Sequence, residues 1–185
     1  MSTTLERVLP TAAQSLTRSQ APRWAREVAL VLAGTAAVAL VGQLRLPLPF
    51  SPVPVTLGSF AVLGVGALLG SRRALGSTVV FALLAASGVP VLAGWQGGVT
   101  ATFGYVLGYC VAGVVAGQAH RDHSPWWRGA LMLGASALVY VPGVAWLVVS
   151  TGKPLGAVLA IGVLPFLWGD LFKSLVASLL PRCRL

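Results

Sequence analysis

Two residues stand where charge is costly. Asp170 and Lys173 lie three positions apart inside the apolar run 155–180. Placing either group at the centre of a membrane helix costs about 2.5–3.5 kcal/mol on insertion scales, and such residues ordinarily mark a functional site. Residues at i and i+3 share one helix face, so the pair can reach each other or a common ligand. One reading is therefore a polar ligand site with Asp170 as acceptor and Lys173 as donor. The other is a self-neutralising pair that only holds its helix in a bundle. The true helix is expected to start near Pro165, which suits a first helical turn. Asp170 then lies near that end of the helix, where the helix dipole favours a carboxylate.

Other side chains with chemistry are sparser. Tyr105 lies early in a fourth apolar run and can donate its hydroxyl into a pocket or satisfy it in a core. Trp95 and Trp168 flank the same region and can stack on a ligand, whereas Trp126 and Trp127 fit an interfacial belt. The run His120-Arg121-Asp122-His123 reads as a solvated basic loop, not a metal site. Cys110 and Cys183 have neither metal-ligand spacing nor a disulfide framework around them and read as free thiols. The sequence contains no phosphate-binding loop, hydrolase elbow or zinc-helix motif, so no hydrolytic or energy-coupling engine is expected in it.

Composition sets the frame that must position these groups. Hydrophobic residues make up 56% of the 185, charged residues only 9%, and the mean hydropathy is +0.84. A soluble domain carries about 25% charged residues, so both an aqueous globule and a disordered chain are excluded. What remains is an all-α integral membrane protein. Six apolar segments can be drawn, at 25–44, 55–69, 74–89, 101–118, 129–150 and 155–180, with Gly and Pro at nearly every junction. The fourth and fifth read as full spans of about 20 residues. The sixth is expected to break near Pro165 and Gly169. Residues 1–24 read as a polar N-terminal extension and 25–181 as a single six-helix membrane domain.

The net charge of +9 sorts into an orientation. With six spans, ten basic residues share the side of the termini and of the 70–73 and 119–128 loops, against Arg45 and Lys153 opposite. The positive-inside rule then places both termini in the cytoplasm, and basicity here signals topology, not nucleic acid. The second and third segments are short and anchored at Gly70-Ser71-Arg72-Arg73. Their outer ends should stop below the outer surface, leaving the Pro-rich stretch 45–54 and the Gly-rich stretch 90–100 at membrane depth. Irregular backbone is tolerated there only when packed in protein or lining a cavity. The expectation is an outward-facing pocket roofed by these two stretches, the alternative being short helices in a thinned bilayer. Along the first span Ala25, Ala29, Ala33 and Ala37 recur every fourth residue, a row that lets another helix approach closely.

Several motifs, in order, resemble one family. Leu46-Pro47-Leu48-Pro49-Phe50-Ser51-Pro52-Val53-Pro54-Val55-Thr56-Leu57 resembles the first outer loop of BioY, the substrate-binding S component of biotin energy-coupling-factor (ECF) transporters. The runs Gly66–Arg73, Ser87–Gly94, Gly104–Tyr109 and Leu164–Lys173 resemble the loop after span two, the end of span three, the start of span four and the final helix. The resemblance implies an ECF S-component-like fold in the cell membrane, biotin as transported substrate with no cofactor, and no enzymatic activity. It also implies docking, through Ala29, Ala33 and Ala37, onto a membrane coupling subunit driven by ATPase subunits. Biotin contacts carry over onto Asp170, Lys173, Tyr105 and Thr56. Two stretches depart from the family pattern: Leu57-Gly58-Ser59 lacks a glutamine, and Thr100-Ala101-Thr102-Phe103 replaces a Gly-Pro-Thr-Gly turn.

Biotin suits the expected pocket chemically. Its ureido ring needs an acceptor, for which Asp170 serves, and a donor, for which Lys173, Tyr105 or Thr102 serves. Its thiophane ring needs an apolar wall from Trp95, Phe103 or Trp168. Its carboxylate needs Lys173 or loop amides at Gly94, Gly97 and Gly98. An S component for another vitamin, a membrane enzyme and a ligand-free scaffold are the competing readings. Cysteines placed at Val53 and Gln96 are expected to react with an impermeant thiol reagent added outside; reaction only from the cytoplasm would overturn the outward-facing pocket.

Overall fold

The computed structural model describes residues 22–46, 49, 54–120 and 122–180. The N-terminal extension up to residue 21, the loop residues 47, 48 and 50–53, Arg121, and residues 181–185 with Cys183 lie outside the described residues. Helix α1 spans Arg23–Val41 and is followed by a short strand β1, Arg45–Leu46. Strand β2, Val55–Thr56, leads into α2, Gly58–Leu69, and then α3, Ser71–Ala86. Helix α4 spans Phe103–Ala116, α5 Pro125–Thr151 and α6 Leu155–Gly162. A 3₁₀ turn, Leu164–Phe166, separates α6 from α7, Leu167–Ser178.

Local chemistry sets these ends. Gly70 at φ +82° lets α2 turn directly into α3, a conformation that glycine adopts without a Cβ clash. Ser124 caps α5 by accepting from the Trp127 N–H at 3.3 Å, and Pro125 occupies the first helical turn. Left-handed Gly152 ends the same helix. The sixth segment breaks at Pro165 as expected, into α6, the 3₁₀ turn and α7, whereas Gly169 lies inside α7 and breaks nothing, since a single glycine lowers helix stability without ending it.

Helix lengths explain the rest. Three helical stretches are long and apolar enough to cross a bilayer: α1, α5 and Leu155–Ser178. Helix α5 has 27 residues, or about 40 Å at 1.5 Å per residue. Helix α2 has 12 residues and α4 14, or about 18 and 21 Å, well short of a hydrocarbon core of about 30 Å. The expected full-length fourth span is thus corrected. Residues 101–102 belong to a turn in which the Thr100 carbonyl accepts from the Phe103 N–H at 3.0 Å and the Thr100 and Thr102 hydroxyls pair at 3.2 Å. Residues 55–56 likewise pair as a strand instead of opening α2.

Helix α2 is the hub, packed against α1, α3, α4, α5 and α7. It is apolar around its whole circumference, as a helix enclosed on all sides must be. Small residues bring backbones together around it. A Cβ on Gly66 would lie 2.8 Å from the Gly113 carbonyl, and one on Gly108 2.7 Å from the Val139 carbonyl. Helices α1 and α3 are stitched by Thr35 Oγ1 donating to the Ser77 carbonyl at 3.0 Å and Ser77 Oγ donating to the Val31 carbonyl at 2.9 Å. Arg73 adds a two-pronged ion pair to Glu27, at 2.9 and 2.7 Å. At the far end of α5, the Arg128 guanidinium donates to the Ser178 and Leu180 carbonyls and closes the open end of α7.

Close packing of α4 on α5 therefore hinges on the missing side chain at Gly108. Gly108→Leu is expected to lower the apparent melting temperature in detergent by several degrees. Gly134→Leu, on the open face of α5 with no atom within 4 Å, should change it little. Equal effects, read by thermal unfolding of the two variants, would show that backbone approach is not the cause.

Candidate functional site

The short helices leave room at one end of the bundle, and irregular segments fill it. Strands β1 and β2 pair antiparallel, Arg45 opposite Thr56 and Leu46 opposite Val55. Beside them runs the loop 87–102, organised by one side chain. The Gln43 carbonyl oxygen accepts from the N–H groups of Gly94 at 2.9 Å and Trp95 at 3.1 Å. Its amide nitrogen donates to the carbonyls of Ala39 at 2.9 Å, Leu92 at 3.2 Å and Val91 at 3.3 Å. One amide therefore ties α1 to the first limb and the turn of the small Leu92–Gln96 bridge.

Beneath this loop is a cavity of about 260 Å³. Its apolar wall comes from Val38, Phe81, Val91, Leu92 and Val106, and its polar groups from Arg45, Thr56, Gln96, Thr100, Thr102, Tyr105 and Tyr109. Both stretches expected at membrane depth line it. A second chamber of about 60 Å³ adjoins it, sharing Pro54, Thr56, Tyr105 and Tyr109, and holds Ser59, Tyr140, Phe166, Asp170 and Lys173.

The inner chamber is a connected polar network. Lys173 is 7% exposed, and its ammonium donates to the Thr56 carbonyl at 2.7 Å, Ser59 Oγ at 3.3 Å and Asp170 Oδ1 at 3.4 Å. Its three protons thus have three partners. Asp170 is partly buried; its Oδ2 accepts from the Tyr140 hydroxyl. Each carboxylate oxygen keeps a lone pair for a further donor. A buried pair with satisfied hydrogen bonds is tolerable in low dielectric, whereas an isolated charge there is not. Tyr105 lines both chambers with its ring, while its hydroxyl donates to the Gly162 carbonyl at 2.9 Å, at the break between α6 and α7.

Of the residues expected at the site, Thr56, Thr102, Tyr105, Asp170 and Lys173 come together at these chambers. Others stand elsewhere. Trp168 is 82% exposed and Trp95 60% exposed, and neither lines a chamber. Phe103 is buried against Trp146 in the α4–α5 packing. The Gly94 N–H is held by Gln43 and the Gly98 N–H by the Ala85 carbonyl at 2.7 Å, so neither amide is free for a ligand. On α1, Ala29 and Ala33 are exposed and Ala37 half-buried.

Four contributors escaped the sequence reading: Gln43, Arg45, Tyr109 and Tyr140. Tyr109 follows Tyr105 by four residues, hence on the same helix face. Tyr140 is a hydroxyl in the middle of an apolar span. Those signals were available. The loop-clamping role of Gln43 was not, since it depends on segments 48 to 52 residues away.

Gln43→Leu is expected to speed amide hydrogen exchange at Gly94 and Trp95 by an order of magnitude or more while leaving mid-α4 amides protected. Unchanged exchange at those two amides would remove the clamp.

Comparison with known proteins places this geometry. A sequence model of the BioY family matches residues 10–183. The biotin transporter BioY of Rhizobium etli is 34% identical over 171 residues, covering 83% of this chain and 90% of the relative. The biotin transporter BioY of Thermotoga maritima is 31% identical, covering 82% and 92%. A crystal structure of the S-component for biotin from an ECF-type ABC transporter superposes with a TM-score of 0.75 at 25% identity, over 84% of this chain and 88% of that one. The overall helical fold is thus similar to that of the biotin S-component structure, and this multi-pass membrane chain belongs to the BioY family.

Proposed function

We propose that this chain is the biotin-binding S component of an ECF-type uptake transporter. The observation that carries the reading is the apposition of two unlike chambers, an inner one built on the Asp170–Lys173 pair and a larger outer one in which an apolar patch of Val38, Phe81, Val91, Leu92 and Val106 faces hydroxyls and an amide. Biotin has the same division. Its ureido head suits the inner chamber, where Asp170, held by Lys173, accepts from a ring N–H and Tyr109 donates to the ring carbonyl. Its thiophane ring and aliphatic tail suit the wall of Val38, Phe81 and Val106. The names of the relatives support biotin over other vitamins.

Import then needs a separate source of energy, because the sequence has no phosphate-binding loop. The exposed face of α1 bearing Ala29 and Ala33 is the docking face for a membrane coupling subunit with its ATPases. The distribution of arginines supports cytoplasmic termini and a cavity open to the outside.

The test is a titration of the purified protein in detergent with biotin, thiamine and riboflavin. Biotin is expected to bind tightly at one site and the others weakly or not at all. Asp170→Asn should weaken biotin by about 10- to 100-fold, the size of a lost hydrogen bond to a charged group. Trp168→Ala, on the outward face of α7, should leave affinity within about twofold. Equal affinity of wild type and Asp170→Asn would overturn the assignment of the inner chamber.

A further inference from the structure

We infer that Arg45 recognises the free carboxylate at the tail of the ligand and so determines specificity at the mouth of the site, an inference that rests on the biotin reading. The two chambers differ in charge. In the inner one, Asp170 is neutralised by Lys173, so that end offers hydrogen bonds without net charge. In the outer one, Arg45 is the single charged side chain among the lining residues; the other polar groups there are neutral amides and hydroxyls. A ligand with an uncharged polar head and an anionic tail matches that polarity, and the reverse orientation does not.

Arg45 is also placed for the task. Its backbone is fixed in β1 opposite Thr56, the residue whose carbonyl holds Lys173. One short ladder thus sets the spacing between the cation of the mouth and the ion pair of the inner chamber. The guanidinium lies flat on Gly94, where a Cβ would collide with its carbon and both terminal nitrogens. One nitrogen donates to the Ala93 carbonyl at 3.5 Å. No carboxylate among the described residues pairs with it, since the ion pairs there are Arg73–Glu27 and Lys173–Asp170. A planar fork whose remaining N–H groups have no partner among the described residues is suited to two-pronged carboxylate binding. Because Arg45 is exposed, water screens the interaction, and discrimination of about tenfold is expected, not thousands.

Biotin and biotinamide, which lacks only the tail charge, are titrated against wild type, Arg45→Gln and Arg45→Lys in detergent. Wild type is expected to favour the acid by about tenfold. Arg45→Gln should weaken the acid and not the amide, erasing the preference, and Arg45→Lys should retain part of it. In wild type alone, the preference should shrink as salt rises from about 0.01 to 0.5 M while amide binding stays level. Equal loss of both ligands in Arg45→Gln would make Arg45 only a prop for the loop and overturn the inference. So would an acid preference that ignores salt or survives the glutamine substitution. Wild type that binds neither ligand would instead remove the biotin reading, and this inference with it.

Discussion

The contact on which the site depends is the ammonium of Lys173 against the carbonyl of Thr56. It joins residues 117 positions apart, fixing α7 to the strand that introduces α2. An ammonium buried to this extent must find partners for its protons mainly in the protein. They are met by backbone, by Ser59 at the start of α2 and by Asp170 one turn away on its own helix. Through Thr56 the constraint passes to β1 and the mouth of the cavity, and through Asp170 and Tyr140 to α5. Four elements are therefore oriented by satisfying one charge.

That arrangement needs space which long helices would fill. Helices α2 and α4 are shorter than a bilayer's width, and α7 begins only after a break, so the starts of all three adjoin the chambers, which Gly58, Thr102 and Phe166 line. Backbone groups freed at such ends require partners. The Tyr105 hydroxyl takes the Gly162 carbonyl, the Trp146 indole N–H takes the Thr100 carbonyl at 3.0 Å, and Gln43 serves the loop above. The aromatic and amide side chains around the cavity thus also support its irregular walls. This dual use explains why ring-bearing residues line chambers whose hydroxyls are already engaged.

Much of this was legible in the sequence because membrane burial leaves coarse signals. Apolar runs and the Asp170–Lys173 spacing are local or compositional, and they survive into the structure as six helical segments and an ion pair at the inner chamber. The fourth span was overestimated because hydropathy does not register a turn made of Thr100 and Thr102, whose hydroxyls satisfy each other inside apolar surroundings. Tryptophans were poorer guides. An indole suits a ligand, a core and a lipid interface alike, and only the rotational position of Trp168 on α7, set by the inward-facing Lys173, decides among them. Arg45 was counted in the charge sort as one of a minority; its place at the cavity came from a strand pairing that two residues on either side cannot announce.

The glycine contacts below the cavity have a consequence for permeability. Gly66 meets Gly113 and Ala116, and Gly117 meets the backbone at Gly70 and Ser71, so α2, α3 and α4 touch main chain to main chain there. Neither chamber is lined by these residues. Among the described residues, both chambers stop short of this seam of packed main chain. Such close packing leaves ions no ready path through it. A cell can keep many copies of such a protein in its membrane without discharging the ion gradients on which its other transport depends.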